Sequence, residues 1–122
     1  MTLRCEIFPH DLDALVDFYT RVLGFRVTQD ERGDPEPYVA LQRGSVQIGA
    51  LARAGLADPA ARRPPAGTEL VLEVDDVTAE RGRVAAAGWP LEADLQLQSW
   101  GLTDFRILDP AGYYLRITSR AK

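Results

Sequence analysis

The chain has 122 residues, of which 46% are hydrophobic and 26% are charged, so it is long enough to form a buried core and is unlike a disordered chain in composition. Its formal charge of −4 argues against a nucleic-acid-binding protein, because such proteins present a basic surface. The single cysteine, Cys5, excludes an internal disulfide and a zinc site built from several thiolates. No stretch is apolar enough to cross a membrane or to serve as a signal peptide, so we expect a cytoplasmic protein with neither nucleic-acid nor membrane partners.

The first half of the chain predicts a strand, a helix and three further strands. Residues 3–8 (LRCEIF) alternate between apolar and polar side chains, as a half-buried strand does. Asp11 is a suitable N-cap for a helix whose apolar residues recur at helical spacing, and Gly24 is suited to the position just after that helix. The three later strands are predicted at FRVTQD, PYVALQ and SVQIGAL, which are residues 25–30, 37–42 and 45–51.

The second half of the chain repeats this order of elements. Residues 68–74 (TELVLEV) predict a strand, Asp76 is a suitable N-cap for a second helix, and Gly88 ends it. Asp76 follows Asp11 by 65 residues and Gly88 follows Gly24 by 64, which indicates a tandem duplication of one βαβββ unit. Three strands are predicted after this helix, at about 91–98, 104–109 and 113–118.

The duplication predicts an α+β fold in which two βαβββ modules form one domain over residues 1–122. Module 1 is expected over about 2–52 and module 2 over about 67–119. Residues 53–66 are rich in Ala, Arg, Pro and Gly and are expected to form a linker. Neither short sheet can bury both of its faces alone, so we expect two curved mixed sheets that enclose a cavity.

Three segments, taken in this order, carry a resemblance to a known family. They are DLDALVDFYTRVLGFRV (11–27), GTELVLEVDDV (67–77) and WGLTDFRILDPAGYYLRI (100–117). With the internal repeat, they resemble the vicinal oxygen chelate superfamily, which includes glyoxalase I, extradiol dioxygenases, fosfomycin-resistance enzymes and bleomycin-resistance proteins. The resemblance implies paired βαβββ modules that are usually assembled as a homodimer with ligand cavities. It does not by itself imply a reaction, because one fold hosts many functions.

The enzymes of this superfamily hold a divalent metal ion through His, Glu or Gln side chains on the first and last strands of each module. The resemblance places the corresponding positions at Arg4, Gly49, Glu69 and Arg116. A guanidinium group is always protonated and only donates hydrogen bonds, so Glu69 alone offers a metal ligand, and we expect neither a metal ion nor another cofactor. We predict that Arg4, Glu69 and Arg116 form an ion network in place of the metal, and the alternative is that they contact a ligand directly. His10, the only histidine, is expected in an exposed loop.

Strand alternation predicts which side chains face the cavity. If Arg4 and Arg116 point inward, residues of the other parity, such as Leu3 and Leu70, belong to the core. Trp100 lies in an SWG segment, and the bleomycin-resistance proteins have a similar Trp-Gly in a loop beside the ligand groove. For every aromatic residue the alternative role is packing in the core or at an interface. The predicted ligand-binding residues are Phe8, Tyr38, Gln47, Leu51, Val71, Trp100, Tyr114 and Arg116.

The resemblance and the altered metal positions give a leading functional hypothesis, which is a metal-free antibiotic-resistance protein of the bleomycin-resistance type. It would sequester a bulky aromatic natural product, such as a bleomycin-like glycopeptide, a mitomycin-like quinone or an enediyne, in a groove of a homodimer. The alternative is a glyoxalase-like lyase, isomerase or other superfamily enzyme acting on a small metabolite. In that case Glu69 acts as the base and Arg4 or Arg116 stabilises an enolate-like charge. A third hypothesis is a ligand-responsive or scaffolding domain.

Overall fold

The computed structural model describes residues 1–53 and 67–120. The chain divides into two compact units, Met1–Ala57 and Asp58–Lys122, and each contains one four-stranded mixed sheet and one helical segment. The predicted α+β fold of two tandem βαβββ modules is therefore confirmed. The predicted linker lies outside the described residues except for its first residue. The enclosed cavity and the homodimer stay predictions.

Module 1 has its four strands in the order β1-β4-β3-β2. Strands β1 and β4 are parallel, and the two other pairs are antiparallel hairpin neighbours. The elements of module 1 are β1 (Arg4–Ile7), α1 (Leu12–Asp17) with a π-helical continuation (Phe18–Val22), β2 (Arg26–Glu31), β3 (Tyr38–Arg43) and β4 (Val46–Leu51). The central position of β4 between β1 and β3 brings residues from the two ends of the module side by side.

The first helix begins and ends where the sequence predicts, but it is not a regular α-helix throughout. The Asp11 carboxylate accepts a hydrogen bond of 3.0 Å from the backbone N–H of Ala14, and Gly24 takes a φ of 72° just beyond the helix. The hydroxyl of Thr20 donates to the carbonyl oxygen of Val16 at 2.7 Å. A side-chain donor at a helix carbonyl competes with the backbone N–H, which accounts for the wider π-helical turn over Phe18–Val22.

Module 2 repeats this architecture with the strand order β5-β8-β7-β6. The Asp76 carboxylate caps the helix by accepting from the N–H of Ala79 at 2.9 Å, and Gly88 follows the helix with a φ of 75°. The elements of module 2 are β5 (Leu70–Val74), α2 (Val77–Ala86), β6 (Ala93–Leu97), β7 (Thr103–Leu108) and β8 (Tyr114–Ser119). In the part of the chain that the structure describes, neither helix is long and apolar enough to cross a membrane.

Each sheet buries one face, as the alternation of apolar residues predicts. In the two central strands of module 2, the residues Phe105, Ile107, Leu115 and Ile117 are almost fully buried. The prediction that Leu3 belongs to the core of module 1 is wrong, because Leu3 precedes β1 and is fully exposed. A residue outside the ladder at the edge of a sheet has no neighbouring strand to hold its side chain over the core.

The turn between β7 and β8 fixes the register of these two strands. The buried Asp109 carboxylate accepts hydrogen bonds of 2.9 Å from the backbone N–H groups of Ala111 and Tyr113. Gly112 takes a φ of 85°, which L-residues with a Cβ avoid. Trp89 donates its indole N–H to the carbonyl of Leu108 at 2.8 Å, so it packs at the end of β7. These contacts hold the hairpin in a register that pairs the arginines of β7 and β8.

Candidate functional site

The second face of the module 2 sheet carries polar side chains from β7 and β8 and from Glu69, which precedes β5. The buried Phe105 and Ile117 alternate along β7 and β8 with Arg106 and Arg116. Arg106 and Arg116 are directly opposed in the antiparallel pair, and Val71 of β5 is opposed to Arg116 on its other side. We call the set of residues on this side the module 2 face: Glu69, Val71, Asp104, Arg106, Tyr114 and Arg116.

Arg116 and Glu69 form a half-buried ion pair on the module 2 face. The Nε of Arg116 lies 2.5 Å from Oε1 of Glu69, and about a quarter of each side chain is exposed, 23% and 31% respectively. The same Nε is buried and makes no hydrogen bond of good geometry within the described residues, so the contact is an ion pair and not a directed hydrogen bond. Two of the three members of the predicted ion network are therefore in contact. The third contact, from Arg4 to Glu69, would join the two units and stays a prediction.

Trp100 lies beside this ion pair and is exposed. The side chain retains 54% of its accessible surface, and the Cζ of Arg116 lies 5.7 Å from the centroid of the indole ring. This distance allows a cation–π interaction. The turn that presents Trp100 is closed by the N–H of Gly101, which donates to the carbonyl of Gln98 at 3.0 Å. This exposure argues against packing of Trp100 in the core of its own chain, and packing at an interface stays the alternative to ligand contact.

Arg106 and Asp104 are part of this face, and the sequence interpretation did not identify them. Asp104 is only 2% exposed, and its Oδ1 accepts from the side-chain amide of Gln98 at 2.9 Å. Its Oδ2 lies 3.6 Å from an Nη of Arg106 and has no hydrogen bond within the described residues. The Tyr114 hydroxyl, and then the Asp104 carboxylate, raise the pKa of Arg106 above its usual value. The sequence signal that could have identified Arg106 is its position between two apolar residues of β7, which places it on the opposite face from them.

The corresponding face of module 1 contains a different arrangement of charge. The Nε of Arg4 lies 2.7 Å from Oε1 of Glu6, two residues along the same strand. The Tyr38 hydroxyl donates to the same carboxylate oxygen at 3.2 Å. Burial raises the pKa of the Tyr38 phenol, and the negative charge of Glu6 raises it further. Within module 1, Arg4 therefore forms an ion pair with Glu6, which lies on the same side of β1.

Gly49 provides the space that the Glu6 and Tyr38 side chains occupy. Glu6 and Gly49 are directly paired between β1 and β4. A Cβ added at Gly49 would collide with both carboxylate oxygens of Glu6 and with the Tyr38 hydroxyl. Any residue other than glycine at this position would displace the Glu6–Tyr38 hydrogen bond. The position that family spacing assigns to a metal ligand is thus covered by a carboxylate and a phenol from neighbouring strands.

The other predicted ligand-binding residues are half-buried or exposed in both modules. Phe8 stacks under Arg53, whose Cζ lies 4.9 Å from the ring centroid. Gln47 and Leu51 are half-buried on β4. Val71 is exposed on β5, and Tyr114 is half-buried on β8. Their roles as ligand contacts stay predictions.

The donor atoms at the family positions do not fit a divalent metal ion. Module 1 offers Arg4, which has no lone pair to donate, and Gly49, which has no side chain. Module 2 offers Glu69, but its carboxylate is engaged by the cation of Arg116. Among residues 1–53 and 67–120, no three His, Cys, Asp or Glu side chains converge as a metal site requires. His10 is exposed in the loop before α1, as predicted.

We predict that Glu69→Ala destabilises the protein, because it leaves the half-buried guanidinium of Arg116 without its counter-charge. The expected loss of unfolding free energy is about 1–2 kcal/mol, between the values typical of exposed and of fully buried ion pairs. Chemical denaturation measures this loss. The matched control is Glu36→Ala at an exposed position, for which we expect no measurable change. Equal stability of the two variants would contradict the role assigned to the pair.

We predict that Tyr38 titrates above its ordinary pKa of about 10, because burial and Glu6 both favour the neutral phenol. The ultraviolet absorbance of tyrosinate, taken as the difference between the wild type and Tyr38→Phe, measures this pKa. Glu6→Gln should lower the pKa only in part, since burial remains. The folded state holds this proton more tightly than the unfolded state, so its contribution to stability is present below about pH 10 and is lost as the pH rises through the folded pKa. A Tyr38 pKa that Glu6→Gln leaves unchanged is the contrary result.

Among solved structures, the chain is similar to a bleomycin resistance determinant, to a bleomycin-binding protein and to a lyase. A bleomycin resistance determinant encoded on transposon Tn5 is 25% identical, with 100% of this chain and 99% of that chain covered and a TM-score of 0.79. A bleomycin-binding protein complexed with bleomycin is also 25% identical, with 99% of each chain covered and a TM-score of 0.77. Lactoylglutathione lyase from Agrobacterium tumefaciens is 23% identical, with 98% and 92% covered and a TM-score of 0.72, which shows the fold alone.

Sequence comparison identifies the family. None of the curated proteins matches the chain significantly. The model of the glyoxalase/bleomycin resistance protein/dioxygenase superfamily, in contrast, matches residues 3–117, which is nearly the whole chain. The predicted family resemblance is therefore confirmed. The chain belongs to the glyoxalase/bleomycin resistance protein/dioxygenase superfamily.

Proposed function

We propose that this protein binds and sequesters a bulky planar aromatic natural product and does not transform it. The observation that carries the proposal is the exposed indole of Trp100, held 5.7 Å from the guanidinium carbon of Arg116 at a family metal-ligand position. The two bleomycin-related proteins with the same fold support it. Small-molecule binding is thus the function that both the site and the comparisons favour.

An exposed tryptophan beside a cation is suited to stacking. Trp100 presents a flat apolar surface, and its burial by a planar ligand would remove that surface from water. The guanidinium of Arg116 limits the motion of the ring from one side, so less conformational entropy is lost when a ligand binds. The site therefore combines a stacking surface with a fixed charge, as expected of a binding protein.

Sequestration requires affinity and no catalytic group, so the engaged state of Glu69 does not weaken the proposal. The Glu69 carboxylate is 2.5 Å from the Nε of Arg116 and would have to leave this contact to act as a base. The second candidate function is a lyase or isomerase. The observation that favours it is the Glu6–Tyr38 pair, a partly exposed carboxylate in hydrogen-bond contact with a phenol that stays protonated at neutral pH.

We further propose that two copies of the chain form a homodimer in the cytoplasm, with the ligand in a groove of the dimer, and that binding confers resistance to the ligand. Kinship with the bleomycin-resistance proteins supports this part of the proposal. Sedimentation of the purified protein tests the dimer, and growth of an expressing host in the presence of the ligand tests resistance.

We predict that Trp100→Ala weakens the binding of planar aromatic antibiotics by about tenfold, because the stacking surface is lost. Calorimetric titration against a panel of bleomycin, mitomycin and enediyne-type compounds measures the affinities. The control is Leu97→Ala, because Leu97 is an exposed apolar residue of β6 that is opposed to Thr103, on the other face of the sheet from Arg106 and Arg116. We expect this control to bind as the wild type does.

The same titrations distinguish the two candidate functions. Ligand recovered after incubation and analysed by mass spectrometry should be chemically unchanged. Recovery of an altered compound, with loss of the alteration in Glu6→Gln or Tyr38→Phe, would favour the enzyme. Failure of every planar compound to bind would remove the proposal altogether.

A further inference from the structure

The two arginines of the module 2 face are placed where like charges oppose each other. Arg106 of β7 and Arg116 of β8 are directly paired across the antiparallel ladder. Their side chains are only 25% and 23% exposed, so water screens their repulsion incompletely. Like charges in directly opposed positions destabilise a sheet. The free protein therefore keeps an arrangement that a bound anion would relieve.

The counter-charges of this face lie outside the arginine pair. In the strand order, β8 lies between β5 and β7. Glu69 precedes β5, so it approaches Arg116 of β8 from the side away from β7. Asp104 lies two residues along β7 from Arg106, opposite Thr118 and not opposite Arg116. Asp104 is also almost fully buried and bonded to Gln98, so it cannot move between the arginines. The sheet register thus leaves two adjacent positive charges at the centre of the face and negative charges at its margins.

The stacking surface and the arginine pair share one residue. Arg116 lies against the Trp100 ring and is opposed to Arg106. The Tyr114 hydroxyl engages Arg106 and contributes to its raised pKa, so this guanidinium is held on the face. A planar ligand on Trp100 would extend one edge towards the two guanidinium groups. Such groups bind carboxylates and other oxyanions through paired, charge-assisted hydrogen bonds.

We propose that the ligand is a planar aromatic acid, with its rings on Trp100 and its carboxylate or acidic phenolate bound by Arg106 and Arg116. This inference rests on the proposed binding function and specifies the class of compound. It disfavours cationic glycopeptides among the candidates considered above. The net charge of −4 repels an acid at long range, but screening confines that effect to about 8 Å in physiological salt. The contacts on the face therefore decide the preference.

The test compares an aromatic acid with its neutral analogue. Anthraquinone carboxylate and anthraquinone carboxamide have the same ring system and nearly the same shape, and they differ in charge. We expect calorimetry to show that the wild type binds the acid at least about tenfold more tightly than the amide, the effect of a charge-assisted pair. Arg106→Met should remove most of the preference for the acid over the amide, because one of the two guanidinium groups that bind the carboxylate is lost.

Two further variants control for charge and folding. Arg120 is an exposed arginine just after β8 that forms an ion pair with Asp75. The Arg120→Met variant should keep the preference for the acid. Arg106→Lys keeps the positive charge but lacks the planar fork, so it should retain part of the preference. If Arg106→Met does not fold, as judged by circular dichroism, the result for Arg106→Lys and the wild-type comparison decide the question.

Each other outcome is informative. Equal affinity of the wild type for acid and amide overturns the inference and leaves the binding of aromatic compounds intact. Tighter binding of the corresponding anthraquinone methylamine overturns it in favour of a cationic ligand. An undiminished preference for the acid in Arg106→Met, or in Arg106→Lys if Arg106→Met does not fold, also overturns the assignment of the two arginines. Failure of all three compounds to bind contradicts the inference and the proposed function together.

Discussion

A guanidinium group in contact with a carboxylate, Arg116 against Glu69, stands at the position that sequence spacing assigns to a metal ligand. This contact determines what the module 2 face can do. It engages the only side chain at the family positions with lone pairs for a metal, and it places a fixed cation beside the exposed ring of Trp100. The result is a charged and aromatic surface at the positions where the family resemblance implies metal ligands. These donors do not fit a divalent metal ion, and the proposal of a binding function builds on that mismatch.

The two modules fill the family metal-ligand positions in different ways. In module 2 an arginine, Arg116, stands at the ligand position and forms an ion pair with Glu69, which precedes β5. In module 1 the ligand position is Gly49, and the side chains of Glu6 and Tyr38 cover it from β1 and β3. A duplicated fold can therefore retain its strand register while each copy acquires its own polar chemistry. This divergence leaves a carboxylate–phenol pair on one face and an arginine pair on the other.

Much of the fold and part of the site could be predicted from the sequence. Alternation of apolar residues indicated the buried face of each sheet, and capping residues such as Asp11 marked the helices, because these signals are local. The pairing of Arg106 with Arg116 could not be predicted, since it depends on a register fixed by the buried Asp109 turn. The choice of Glu6 as a partner for Arg4 depends on side-chain conformation, which strand alternation does not specify.

Anomalous diffraction from crystals grown with manganese or nickel tests the central claim most directly. We expect no anomalous peak beside Glu69, with the Arg116 guanidinium remaining in contact with the Glu69 carboxylate. A peak at about 2 Å from a Glu69 oxygen, the usual distance of a coordinated carboxylate, with Arg116 displaced from that carboxylate, would contradict the claim. The module 2 face would then be a metal centre, and neither sequestration nor the recognition of an aromatic acid would follow from it.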